Sequence, residues 1–279
     1  MKLGFFGINV GPCIDPGVLA AVAKAAEDAG YDSLWTGEHV VLPDPQVPPS
    51  PVPPETPFLD PAVALTWAAA ATSTIRLATG IIILPQRNPL VLAKEFASLD
   101  VLSGGRVMLG VASGYLTQEF DALGIPFADR GPRTDEYIDA IREMWTSEKP
   151  AMEGKFASFS GIDAQPRPVQ KPAPPIVIGG QSPPAYRRAI RRGNEWYGFS
   201  LSLEETKACL NELAEARKRV DRPAELGELI VSITPPVGTG DDDLRRYEDL
   251  GVHRLVPIGF LGDTAQMVAQ IEHNAGVFG

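Results

Sequence analysis

Two cysteines in 279 residues, Cys13 and Cys209, lie far apart and form no CxxC or CxxH pattern. That excludes a disulfide framework and a structural zinc site, and fits a reducing compartment. Histidine numbers three, with no HxH or HExxH spacing, so a metal-dependent hydrolase has no ligand set to draw on and no metal is expected. Positive charge is also short: 25 Lys and Arg against 35 Asp and Glu give a net charge of −10. Nucleic acid is excluded as a partner, because phosphate contacts need a basic face. No apolar run approaches the roughly 20 residues of a membrane-crossing helix. The N-terminal stretch MKLGFFGINVGPC breaks at Gly4, Gly7 and Gly11 and lacks a cleavable leader pattern, so it reads as a first strand. A cytoplasmic protein acting on a small molecule is the expectation.

What is present is a rhythm of short apolar runs and helical patterns. Lys2 to Ile8 precedes a segment in which Val18, Leu19, Val22, Ala25, Ala26 and Ala29 recur at helical spacing up to Gly30. Ser33 to Thr36 is the second strand, and Asp60 with Pro61 opens the helix 60–72 as cap and first residue. Arg76 to Leu84 reads as a continuous buried strand, followed by the helix 90–102. Arg106 to Val111, an insertion, and the helix 132–145 make a fourth unit. A hairpin around Ser158 and a proline-rich stretch precede the fifth strand, 175–178. The beat resumes through helices 183–192, 203–220, 241–250 and 263–275, with strands 195–199, 228–234 and 253–258 between them. Eight alternations over residues 1–279 predict one (β/α)₈ barrel with insertions after strand 4 and before strand 5. The rival is an open doubly wound sheet, which the missing GxGxxG turn disfavours.

In such a barrel the residues just past each strand share one mouth. They are Ile8-Asn9, Glu38-His39, Thr79-Gly80-Ile81, Ala112-Ser113-Gly114, Gly179-Gly180-Gln181-Ser182, Ser200, Thr234 and Gly259. The set holds no GxSxG elbow and no lysine for a Schiff base. A mouth so poor in acids, bases and nucleophiles leaves the chemistry to a cofactor. His39 is the best proton carrier, with Glu38 beside it to orient or tune it. The rival readings are a packed loop histidine, and a Glu38 held in an ion pair with an arginine such as Arg87. His253 and His273 read as structural. Gly179 to Ser182 opens a helix and offers backbone N–H groups to an anion. Its rival is an ordinary glycine turn with Ser182 as cap. Arg187, Arg188, Arg191 and Arg192 follow, either as a basic patch or as helix arginines paired with acids.

The segments GYDSLWTGEHVVLP, STIRLATGIIILPQRNPLVLAKEFASLDVLSGGRVMLGVASGY, RTDEYIDAIREMW and PPIVIGGQSPPAYRRAIRRGNEWY together resemble the luciferase-like monooxygenase superfamily, in its bacterial branch of coenzyme F420-dependent oxidoreductases. The resemblance implies a (β/α)₈ barrel with a deazaflavin or flavin at the C-terminal mouth. It maps a catalytic histidine onto His39, and onto Gly80-Ile81 a non-prolyl cis peptide that backs the ring. Thr79 and Asn88 fall along the same wall. It also implies that Ser113-Gly114 and Gly179, Gly180, Gln181 and Ser182 meet ribityl and phosphate groups, and that two copies associate as a homodimer. Two departures stand out: Tyr115 replaces the glutamate of sugar-phosphate oxidisers, and Gly193-Asn194-Glu195-Trp196 replaces the usual GDGW. The expectation is hydride transfer between F420 and a small organic substrate. The alternatives are an FMN-dependent monooxygenase using O₂, and a cofactor-binding protein without catalysis.

Overall fold

The computed structural model describes residues 1–278. Eight parallel strands close into a barrel: β1 Lys2–Phe6, β2 Ser33–Thr36, β3 Arg76–Thr79, β4 Val107–Ala112, β5 Ile176–Gly179, β6 Glu195–Gly198, β7 Ile230–Ile233 and β8 Arg254–Leu255. Each pairs with the next, and β8 returns to β1 through Arg254 opposite Lys2 and Leu255 opposite Leu3. Closure decides against the open sheet, which would leave two unpaired edges.

The helices α1 Pro16–Asp28, α2 Pro61–Ala71, α3 Pro89–Ser103, α4 Thr117–Ala122, α5 Arg130–Thr146, α6 Pro183–Arg192, α7 Leu203–Arg217, α8 Asp241–Asp249 and α9 Thr264–Phe278 cover or flank the barrel. Their starts are written locally. Asp15, Asp60 and Asn88 each accept two first-turn amides and precede a proline, while Ser202 and Glu205 form a reciprocal box at α7. The insertion after β4 holds α4. The excursion before β5 carries the hairpin Met152–Glu153 with Ser158–Phe159.

Two strands differ from expectation. The Ile-rich run 76–84 is not continuous: β3 stops at Thr79, a cis peptide joins Gly80 to Ile81, and pairing resumes with Ile82 opposite Val111. Gly80 lies hard against β2, its amide 2.8 Å from the Thr36 carbonyl. A Cβ there would stand 3.0 Å from Trp35 Cε3 and 3.2 Å from the Thr36 oxygen. The eighth strand shrinks to two residues because Pro257 has no N–H to continue the ladder.

Inside the barrel Phe6, Trp35, Ala78, Met108, Val177, Tyr197 and Val256 form one apolar layer. The Trp35 and Tyr197 rings stack at 4.9 Å. Beneath this layer, at the N-terminal end, buried Arg254 reaches Asp32 at 2.8 Å, Glu195 at 2.5 Å and Ser232 at 3.1 Å. The floor is therefore a satisfied ionic layer and the interior is solid. Only the C-terminal rim is left to bind anything.

Candidate active site

The loop leaving β2 is fixed from below before it delivers any side chain. Fully buried Asn9 donates to the Gly37 carbonyl at 2.9 Å and to the Leu59 carbonyl at 2.7 Å, and accepts the Gly37 amide at 2.9 Å. One side chain thus clamps both ends of the long loop that contains Glu38 and His39. The proline-rich segment inside it forms neither helix nor strand.

Glu38 and His39 then part company. The buried Glu38 carboxylate accepts the Ile83 amide at 2.5 Å and an ion pair from Arg87, whose guanidinium also reaches Asp60 at 2.8 Å. Burial raises the Glu38 carboxyl overall, against the downward pull of Arg87 and the Ile83 amide. Burial would lower Arg87, yet Glu38 and Asp60 outweigh it and hold the guanidinium above its ordinary range. We favour an ionised pair, because both carboxylate oxygens receive donors and one donor is cationic. The expectation that Glu38 orients or tunes His39 is corrected: its oxygens are taken up by Arg87 and Ile83, so it fastens the loop to the segment that follows β3.

The carboxylate beside His39 is Glu119, from α4. His39 Nδ1 lies 3.5 Å from Glu119 Oε2, and both atoms are buried with no hydrogen-bond partner among the described residues. Glu119 Oε1 accepts the Val40 amide at 2.7 Å. The imidazole is flanked edge-on by Phe58 at 5.7 Å and Tyr115 at 6.1 Å. Burial, then the nearby Glu119 charge, pushes the Tyr115 hydroxyl up to about 12. A cleft of about 490 Å³ opens beside this pair, walled by Val41, Leu42, Pro43, Gln118, Glu119 and Ala122. Nothing in LTQEFDA marks Glu119 as different from a solvated glutamate, and sequence reading missed it.

The bulge and the glycine turn do meet. A Cβ on Gly179 would stand 2.9 Å from Ile81 Cγ2 and 3.5 Å from the Ala112 Cβ, so the missing side chain lets Ile81 pack directly against the β5 backbone. Gly114, at φ 77°, borders Ile83 and Phe120, and half-buried Ser113 stands just before it. Thr36, at the top of β2, keeps a buried hydroxyl without a partner. An orphaned hydroxyl on Thr36 and bare backbone at Gly114 and Gly179 along one rim fit a polar ring seated there.

The remaining residues singled out in the sequence take the following places. The buried Thr79 hydroxyl donates to the Gly110 carbonyl and accepts the Gly110 amide, both at 2.7 Å. It stitches β3 to β4 and is spent there. Asn88 is exposed and its side-chain oxygen caps α3. At the α6 turn Gly180, Gln181 and Ser182 are exposed. Gln181 donates to the Phe199 carbonyl at 2.7 Å, and Ser182 takes the cap position with its hydroxyl unused. Pro183 and Pro184 carry no N–H, so the turn offers fewer amides than a typical helix start. Arg188 binds Asp135 at 2.7 Å and Arg192 binds Asp139 at 2.8 Å, tying α6 to α5. Arg187 and Arg191 stay exposed. His253 accepts the Val231 amide just before β8, and His273 on α9 meets Asp241 at the start of α8 at 3.0 Å.

The sequence profile of the luciferase-like monooxygenase family matches residues 7–273. The chain belongs to that family. An uncharacterised protein of Mycobacterium tuberculosis is 31% identical over 243 residues, which cover 84% of each chain. The oxygenase component of the flavin-dependent trigonelline monooxygenase of Acinetobacter baylyi is 29% identical over 209 residues, 72% of this chain and 55% of that protein. Among solved structures, an F420-dependent secondary alcohol dehydrogenase in complex with an F420-acetone adduct superposes with a TM-score of 0.80 at 16% identity. It spans 99% of this chain and 98% of the other, a likeness of fold. Among the described residues there is no group of metal-ligating side chains and no helix long and apolar enough to cross a membrane.

Proposed function

We propose that the protein is an F420-dependent oxidoreductase that moves a hydride between the deazaflavin and a small organic substrate. The observation that carries this reading is His39, a single imidazole at the mouth set against the buried Glu119 carboxylate, which also lines the neighbouring cleft. When bound, F420 supplies hydride acceptance and return at its C5 carbon. Gly80-Ile81, Ser113-Gly114 and Gly179 to Ser182 are the residues that would hold it. The stacked Trp35–Tyr197 pair belongs to the apolar layer that fills the barrel beneath the mouth.

His39 does the remaining chemistry. In the oxidative direction its open ring nitrogen accepts the substrate hydroxyl proton as the hydride leaves the same carbinol carbon, which becomes a carbonyl. In the reductive direction the imidazolium returns that proton. Loss of the ring is expected to cost about 10²-fold or more in turnover. His39→Ala should show that fall with cofactor affinity unchanged.

A second reading is an FMN-dependent monooxygenase. It is favoured by curated relatives named as a flavin-dependent trigonelline monooxygenase and an FMNH(2)-dependent dimethylsulfone monooxygenase. Anaerobic titration with each cofactor separates the two. Micromolar binding of F420 with none of FMN supports the first, and the opposite result rejects it.

A further inference from the structure

We propose that Glu119 is a positioning residue that holds the Nδ1 proton of His39 and so leaves Nε2 as the open, lone-pair-bearing nitrogen of the ring. This deepens the reading of His39 as proton carrier and rests on it for its catalytic meaning, though not for its geometry.

The buried ring nitrogen is Nδ1, and 3.5 Å away stands an equally buried carboxylate oxygen; neither has another partner among the described residues. Two orphaned polar atoms facing each other in a dry place are costly unless they share a proton. The distance is a few tenths of an ångström beyond a typical N–H···O bond, the loose setting common before a substrate closes a site. Glu119 is only 1% exposed, and its other oxygen is anchored by the Val40 amide at 2.7 Å. The carboxylate therefore cannot swing away without losing a backbone bond one residue from His39. Glu38, the chain neighbour, is consumed by Arg87 and Ile83. Phe58 and Tyr115 offer the imidazole ring edges and faces. Among the described residues, Glu119 is thus the carboxylate in place to select the tautomer, in the way a carboxylate behind a catalytic histidine does.

The three histidines make the test direct. Ring-nitrogen NMR of protein labelled with ¹⁵N-histidine, without cofactor and at a pH where the ring is neutral, reads each tautomer; His39→Gln assigns the signal. The expected wild-type result is a protonated Nδ1 on His39. In Glu119→Gln the amide oxygen keeps the Val40 bond and the NH₂ group faces Nδ1, which must then accept. The two His39 nitrogen shifts should exchange, with the melting temperature within a few degrees of wild type. A wild-type ring protonated on Nε2 overturns the proposal whatever the variant does, and so does a tautomer unmoved by Glu119→Gln in folded protein. Because no cofactor enters, these results are independent of whether F420 or FMN binds. With the cofactor that does bind, Glu119→Gln should lower kcat at least tenfold and leave KM within twofold; an unchanged kcat also overturns the proposal.

Discussion

Two buried carboxylates flank the same loop, and their partners divide their work. Glu38 neutralises Arg87 and receives the Ile83 amide, so Glu38→Ala strands a guanidinium that is itself mostly covered. Breaking a buried pair costs about 3–5 kcal/mol. The lower end is expected here, because Asp60 remains on Arg87. Denaturant unfolding of Glu38→Ala should show that loss, while His39→Ala should unfold close to wild type and fail in turnover instead. The reverse ranking would return Glu38 to the chemistry. At this scale the sequence was half legible. The dipeptide Glu38-His39 announced itself at a strand end, and Arg87 could be named as a partner. Glu119 could not, because a glutamate in a short helix looks the same whether it faces solvent or an imidazole across 79 residues of chain. Thr79 and Asn88 show the converse: sequence position put them at the wall, but their hydrogen bonds spend them on β4 and on the α3 cap.

Among the elements, helix starts were the most readable, since Asp15, Asp60 and Asn88 cap with their own side chains and prolines follow. Strand ends were the least readable. Hydrophobic periodicity cannot register the break at Gly80-Ile81, and at Pro257 the ladder misses one rung for want of an N–H before Ile258 pairs with Phe6. The close contact of Gly179 with Ile81 gives a test: Gly179→Ala places a methyl 2.9 Å from Ile81 Cγ2 and pushes the Gly80-Ile81 segment aside. Cofactor affinity should fall roughly tenfold, about 1.4 kcal/mol. Equal affinity by titration would remove that segment from the binding site. A second test concerns how α1 is tied down. Its Glu27 accepts the Ser73, Thr74 and Ile75 amides; burial opposes ionisation, but these bonds together bring its carboxyl down from 4.5 to about 2. A folded value below the unfolded one contributes stability that is complete above about pH 4.5 and fades as pH falls toward about 2. Across that window wild type should lose more stability to acid than Glu27→Gln, measured by urea unfolding at several pH values.

For the whole molecule, eight strand-helix units could be counted from sequence because each unit is local. The barrel closure itself, β8 on β1, joins residues 252 positions apart (254 − 2) and was inferred from the count. What no local pattern reveals is which outer surface is covered. Val63 and Trp67 on α2 and Val91 on α3 are more than half exposed, and the two helices pack side by side. Apolar side chains left out on neighbouring helices suit a second copy of the chain. Sedimentation should give a dimer, and Trp67→Glu should shift it toward monomer; a wild-type monomer at micromolar concentration would refute the association.

The ionic floor has a consequence for traffic. With Arg254, Glu195, Ser232 and Asp32 locked together beneath a stacked aromatic layer, the barrel has no passage at its N-terminal end. On the reading proposed above, cofactor and substrate would both have to arrive at the C-terminal face. Whichever enters last would then leave first.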